Sequence, residues 1–188
     1  LLELRAVDLS FTEAESAMFL NEVLHLSLAT ESLGVLYERT EGWPVGVHLA
    51  AMSLSQADDR AGFVAHFGGA SRHIVDYLTE VVLNTLDEEQ HEFLLETSVL
   101  DTMCGPLCDA AIERQGSAEV LVELERANLF LIPLDDRREW YRYHELFADV
   151  LRNRLLQSDP ELSRAAHRRA SEWLAAEGEK AVDTFITA

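Results

Sequence analysis

The chain has 188 residues, 48% hydrophobic and 8% aromatic, enough for one large or two small domains with an adequate core. The apolar residues are mostly Leu, Ala and Val, with four Pro and nine Gly, a balance that favours helices over a sandwich or barrel. The formal net charge of −19 opposes nucleic acid and anionic membrane as partners. Most of that charge lies before Trp140; from there on, seven Lys and Arg nearly balance eight Asp and Glu. No apolar run reaches the roughly 18 residues of a membrane span, and the start, Leu1-Leu2-Glu3-Leu4-Arg5, is not a signal peptide. It reads as the end of a strand without a partner, so the natural protein is expected to begin upstream, and the segment to be soluble and cytoplasmic.

Thr12-Glu13-Ala14-Glu15 is a capping box, and Ala14, Ala17, Met18, Leu20, Val23 and Leu24 supply the apolar face of the helix it opens. A second helix is predicted over Glu31 to Arg39, capped by Thr30. A third starts at Trp43-Pro44, where proline suits the first turn, and carries Val47, Leu49, Ala50, Met52 and Leu54. Composition turns polar between Gln56 and Arg72. A short helix is expected near Gly62 to His66, then a connection from Gly68 to Arg72.

In the next segment Ile74, Val75, Leu78, Val81 and Val82 share a helical face. Asp87-Glu88-Glu89-Gln90 reads as another capping box, leading into Phe93, Leu94 and Leu95. Pro106 starts a short helix through Ile112, and Ser117 is expected to cap one over Ala118 to Arg126. The run from Asn128 to Leu134, the turn Asp135-Asp136-Arg137-Arg138 and the alternating Glu139 to Tyr143 read as one hairpin. Helix resumes at His144 with Leu146, Phe147, Val150, Leu151 and Leu155. Three helices followed by a hairpin is the order of a winged helix-turn-helix. Helical residues from Pro160 to Ala176, then from Glu179 to Thr187, read as the first units of a repeat array.

For enzyme chemistry the sequence is nearly empty: it holds no Gly-rich phosphate loop, GxSxG, HExxH or GxGxxG. Cys104 and Cys108 are placed awkwardly for a disulfide and lack further donors at finger spacing, so they are expected to be free, mostly buried thiols, with no metal site. His66 and His73 flank a Gly-Gly loop and read as solvated. The third helix of the winged helix offers Glu119, Glu123 and Glu125 against Arg126, a face that phosphate repels. Two stretches remain, Thr40-Glu41-Gly42-Trp43-Pro44-Val45-Gly46 and Trp140 to Asp149. Structure alone accounts for each, the first as a turn and helix start, the second as a strand passing into a helix.

These stretches, with Leu4-Arg5, Asp8-Leu9-Ser10-Phe11, Glu38 to Pro44, Val75-Asp76-Tyr77-Leu78, Ser98 to Asp101 and Glu123 to Phe130, resemble the MalT-like ATP-dependent transcriptional regulators of the LuxR group, in the family's order over nearly the whole chain. The resemblance implies a fragment of a signal-transduction ATPase. Residues 1–10 would be the tail of an upstream nucleotide-binding domain, 11–70 a helical arm, 71–157 a winged helix and 158–188 the start of a helical-repeat sensor. The fold implied is mainly α with one hairpin. Gly42-Trp43-Pro44 corresponds to a glycine-x-proline motif whose proline packs near adenine in related ATPases. Tyr143-His144-Glu145 resembles the motif that places a histidine on the ADP β-phosphate, with Tyr143 and Glu145 replacing the usual Met and Asp.

The resemblance thus implies a regulatory interdomain module, not itself an enzyme, within a slow ATPase switch that takes ADP or ATP with Mg. Its partners would be the flanking nucleotide-binding and repeat domains, with self-assembly of the parent and no direct contact with nucleic acid or membrane. Two alternatives stand beside it: a DNA-binding winged helix, and a protein-interaction module without a nucleotide role.

Overall fold

The computed structural model describes residues 9–57 and 59–186, with backbone alone for 178–186. The strand expected at residues 1–5 lies outside the described residues. Thr12 opens α1 (Glu13–Met18) as the capping box requires: its hydroxyl accepts the Glu15 N–H at 3.2 Å, and the Glu15 carboxylate accepts the Thr12 N–H at 2.8 Å. A π-helical turn, Phe19–Val23, continues it. Next come α2 (Thr30–Thr40), α3 (Pro44–Ser55), α4 (Arg60–Ala65) and α5 (Arg72–Val81). Pro44 takes the first helical position of α3, as its fixed φ favours. Thr30 does not cap α2. It is the helix's first residue, and Ala29 holds the cap position without a side-chain bond.

A 3₁₀ turn (Leu83–Thr85) leads to α6 (Glu88–Thr97), α7 (Gly105–Ile112) and α8 (Ser117–Arg126). Asp87 caps α6 by accepting the Gln90 N–H at 2.8 Å. Ser117 does not cap α8. Gly116, at φ 92°, holds that place, while Ser117 is buried and gives its N–H to the Asp109 carboxylate at 3.0 Å. Strands β1 (Leu131–Pro133) and β2 (Tyr141–Tyr143) pair antiparallel, with Leu131 opposite Tyr143. The hairpin is shorter than its sequence pattern. The Asp135 carboxylate draws the Arg137 and Trp140 N–H groups, each at 2.8 Å, into a broad turn. Met103 adds a third backbone to the ladder, exchanging both hydrogen bonds with Tyr141 at 2.8 Å.

α9 (Glu145–Ser158) follows, then α10 (Pro160–Ile186). The break expected near Gly178 is absent. One glycine costs a helix only about 1 kcal/mol relative to alanine, which a long helix absorbs.

The chain forms two compact units, one of residues Leu1–Val81 with Glu145–Val150, the other of Val82–His144 with Leu151–Ala188. α5 packs on α3 in the first unit, burying Ile74 and Leu78 completely. The core there also holds Leu20, Leu36, Leu54, Leu146 and Phe147. In the second unit α10 lies on α7 and α6, burying Ala166 and Ala170. Arg169 closes the end of α7, donating to the Ala111 carbonyl at 3.2 Å and pairing with Glu113.

Glu96 carries a cost in that unit. Its side chain is 14% exposed, and burial raises its pKa despite Arg114 at 3.5 Å. A carboxyl raised in the folded state favours folding least once it must ionise, so its contribution falls as pH rises from the ordinary carboxyl range through the raised value. Glu96→Gln should therefore raise the urea midpoint at about pH 7, and the gain should shrink towards pH ~4, where both forms are neutral. Equal midpoint differences at the two pH values would refute this.

Candidate functional site

The stretch from Thr40 to Gly46 turns α2 into α3 through two left-handed residues, Glu41 at φ 50° and Gly42 at φ 70°. Gly42 is fixed by space as well as by φ. A Cβ there would lie 2.1 Å from the Phe11 carbonyl oxygen, because Phe11 gives its N–H to the Gly42 carbonyl at 2.8 Å. Trp43 is extended before the proline, and its N–H closes the turn on the Thr40 carbonyl at 2.8 Å. Its ring covers Gly46, where a Cβ would fall 2.7 Å from Cε3, and meets Tyr77 at 5.8 Å between ring centroids. Pro44 is half-buried.

The second stretch begins in β2. Tyr143 is buried with its hydroxyl 2.7 Å from Thr97 Oγ1, and desolvation pushes its pKa up. His144, 7% exposed, holds the N-cap position of α9 at φ −57° and ψ 136°. Its N–H donates to the Phe130 carbonyl at 2.8 Å, and its ring meets Phe130 edge-on at 5.9 Å. Phe130 sits at φ 57°, a left-handed conformation that strains a bulky residue.

The His144 ring makes no cap bond to the helix. The cap comes from Glu41, whose carboxylate accepts the Glu145 N–H at 2.9 Å, while Arg39 pairs with the Glu145 carboxylate. Leu146 Cδ1 lies 3.4 Å from the point a Cβ on Gly46 would occupy. The first unit thus joins the Gly42-Trp43-Pro44 turn to Glu145 and Leu146; His144 itself belongs to the second unit. Sequence reasoning named Gly42, Trp43, Pro44 and His144 but missed Glu41 and Phe130. The available signal for Glu41 was a helix start at His144 with no Ser, Thr, Asp or Asn to cap it.

Other groups offer less. His73 is only half-buried, not solvated as expected: its Nδ1 lies 3.0 Å from Ser53 Oγ. That serine already donates to the Leu49 carbonyl at 2.9 Å, so the pair lacks the arrangement of a base and its nucleophile. Cys104 and Cys108 are free and buried, and burial raises both thiol pKa values, which makes them poor nucleophiles. On α8, Glu119 and Glu123 are exposed. Glu125 turns inward, 13% exposed, with Arg138 at 3.4 Å and the Tyr141 hydroxyl donating to it at 3.4 Å.

Three short helices, a hairpin braced by Met103 and a following helix define a winged-helix module. Residues 78–163 match the MalT winged helix domain. The chain is a MalT-like segment. It is 36% identical to the serine/threonine-protein kinase PknK of Mycobacterium tuberculosis over 190 residues, 100% of this chain and 17% of that protein. It is 34% identical to the HTH-type transcriptional regulator MalT of Klebsiella pneumoniae subsp. pneumoniae over 181 residues, 93% of this chain and 20% of that protein. With MalT of Vibrio cholerae the identity is 33% over 179 residues, 89% and 19%. The chain therefore spans about a fifth of the length of these relatives.

Gly42→Ala should destabilise the chain by about 1–3 kcal/mol, since it combines a left-handed φ with a Cβ against the Phe11 carbonyl. Urea titration should show a lower midpoint at unchanged slope. A midpoint equal to that of the parent chain would show that the turn has other solutions.

Proposed function

We propose that the chain is a regulatory interdomain module of an ATP-dependent, LuxR-group transcriptional regulator, and that it couples nucleotide state and effector sensing to activation. The observation that carries this reading is that the two stretches with a resemblance-based nucleotide role are tied together: Glu41, beside Gly42-Trp43-Pro44, caps the helix that His144 begins. The relatives support a module in place of an output domain. One is named a kinase and the others HTH-type transcriptional regulators, yet each matches most or all of this chain over a fifth or less of its own length.

ADP or ATP with Mg, held mainly by an upstream phosphate loop, would supply the anionic phosphoryl group. The residues present fit a secondary role. Pro44, half-buried at the start of α3, would pack near adenine, and His144 would donate to the β-phosphate. The first N–H of α9 is taken by the Glu41 carboxylate, and the imidazole would be the side-chain donor next to it. The module by itself is no enzyme. In the closed state His144 would hold the winged helix to the nucleotide domain; effector binding on the repeats and exchange for ATP would release it and permit self-assembly.

DNA reading by the winged helix is disfavoured by charge. The exposed side chains Glu119 and Glu123 on α8 face solvent with Arg126 alone to offset them. The 188-residue chain should give no shift of labelled duplex at about 0.15 M salt, an ionic strength at which exposed charges are already well screened. Sub-micromolar binding there would replace this reading with that of a DNA-binding winged helix.

A hydrogen bond from His144 to phosphate would be charge-assisted and worth about 1.5–3 kcal/mol. In the longer protein that carries the nucleotide-binding domain, His144→Ala should speed ADP dissociation by about 10- to 100-fold. It should also cause partial effector-independent activation while leaving the melting temperature little changed. A lowered melting temperature with unchanged ADP release would make His144 a structural residue and leave a module without a nucleotide role.

A further inference from the structure

The chain leaves α8 through two left-handed residues, Asn128 at φ 55° and Phe130 at φ 57°. The helix end accounts for the first. Asn128 gives its N–H to the Glu125 carbonyl at 2.9 Å, and Leu129 gives its own to the Leu124 carbonyl at 3.1 Å. This pair of bonds closes a helix in the Schellman manner, and asparagine tolerates the left-handed conformation that the closure requires. Phe130 lies beyond that closure, where the chain enters β1, and neither bond involves it.

A left-handed φ favours glycine, or else asparagine or aspartate, and disfavours a bulky ring. Phenylalanine at 130 therefore needs a reason other than the course of the backbone. Leu131 pairs with Tyr143, so the register carried back one residue sets Phe130 opposite His144. A ladder bond follows that register: the His144 N–H donates to the Phe130 carbonyl at 2.8 Å. Residues opposed in this way on an antiparallel pair are immediate neighbours. Their two rings meet edge-on, 5.9 Å between centroids and 86° between planes. His144 is buried and Phe130 half-buried, and both belong to the second unit.

We infer that Phe130 is a positioning residue for His144: its ring, carried on a left-handed backbone, confines the imidazole to one orientation. The ladder bond uses only the carbonyl of residue 130, so any side chain there would leave it in place. The ring contact has no such substitute. A strained residue stands where an unstrained one would keep the fold, and what it adds is a ring beside the imidazole. The consequence for nucleotide rests on the reading of His144 as a phosphate donor; the confinement itself does not.

The test compares Phe130→Ala, Phe130→Gly and Phe130→Tyr in the 188-residue chain without nucleotide, with histidine labelled in 13C and 15N. Three-bond couplings from the His144 nitrogen and carbonyl carbon to Cγ report its χ1. The parent chain and Phe130→Tyr should show one staggered rotamer, and the two ringless variants should show averaging over the staggered wells. Urea titration separates this effect from stability. Phe130→Gly should have a higher midpoint than Phe130→Ala, because glycine relieves the left-handed φ that alanine keeps. A single His144 rotamer in either ringless variant, whatever its midpoint, would overturn the inference, and so would averaging in the parent chain. In the longer protein with its nucleotide-binding domain, an imidazole spread over the staggered wells occupies the bonding one about a third of the time. Phe130→Ala should then speed ADP dissociation about threefold, with no further effect in a His144→Ala background. Faster release in that background too would overturn the positioning role. If His144→Ala itself leaves ADP release unchanged, the phosphate reading falls and the rotamer result still decides the confinement.

Discussion

One helix has to serve two cores. Leu146 and Phe147 are completely buried in the first unit, and Leu151 and Leu155 are buried in the second, along one uninterrupted α9. A helix is cooperative along its length because nucleating a new turn is costly. In the first unit the start of α9 is capped by the Glu41 carboxylate; in the second, the buried His144 imidazole is backed by the strained Phe130. The conformation of the α9 start is the constraint to which the other observations refer.

Close approach at glycine makes the constraint sharp. Gly46 and Gly69 let the α9 start lie where a methyl group would collide with Trp43 in one case and with the Asp149 backbone in the other. Packed surfaces of this kind have few intermediate positions, because an ångström of displacement opens a void or forces a clash.

The fold was legible in the sequence where local rules agree. Thr12 and Glu15, Asp87 and Gln90, and Pro44 at a first turn each announce a helix start through chemistry contained within four residues. The hairpin, too, was visible from its alternating aromatics. Misreadings came where a nearby side chain had a better use. Ser117 looked like a cap but is buried with its N–H on Asp109. The two stretches of the site were legible as oddities of composition. Their connection was not, because it depends on contacts between residues about a hundred positions apart, which no short-range pattern records.

The position of His144 shows why the missing part was missing. N-cap preferences are strong because a short polar side chain satisfies an otherwise orphaned N–H at little entropic cost, and replacing it costs about 1 kcal/mol. A chain optimised only for α9 would place such a residue at 144. Histidine there gives up the local cap, and the fold restores it with a long glutamate from a turn that itself needs two left-handed residues in succession. Each step runs against a local preference, and the steps make sense only together. Where sequence rules fail in a correlated way, the residues concerned answer to a demand other than folding. In the second unit such a failure is the strained Phe130, whose ring backs an imidazole held nearly out of water.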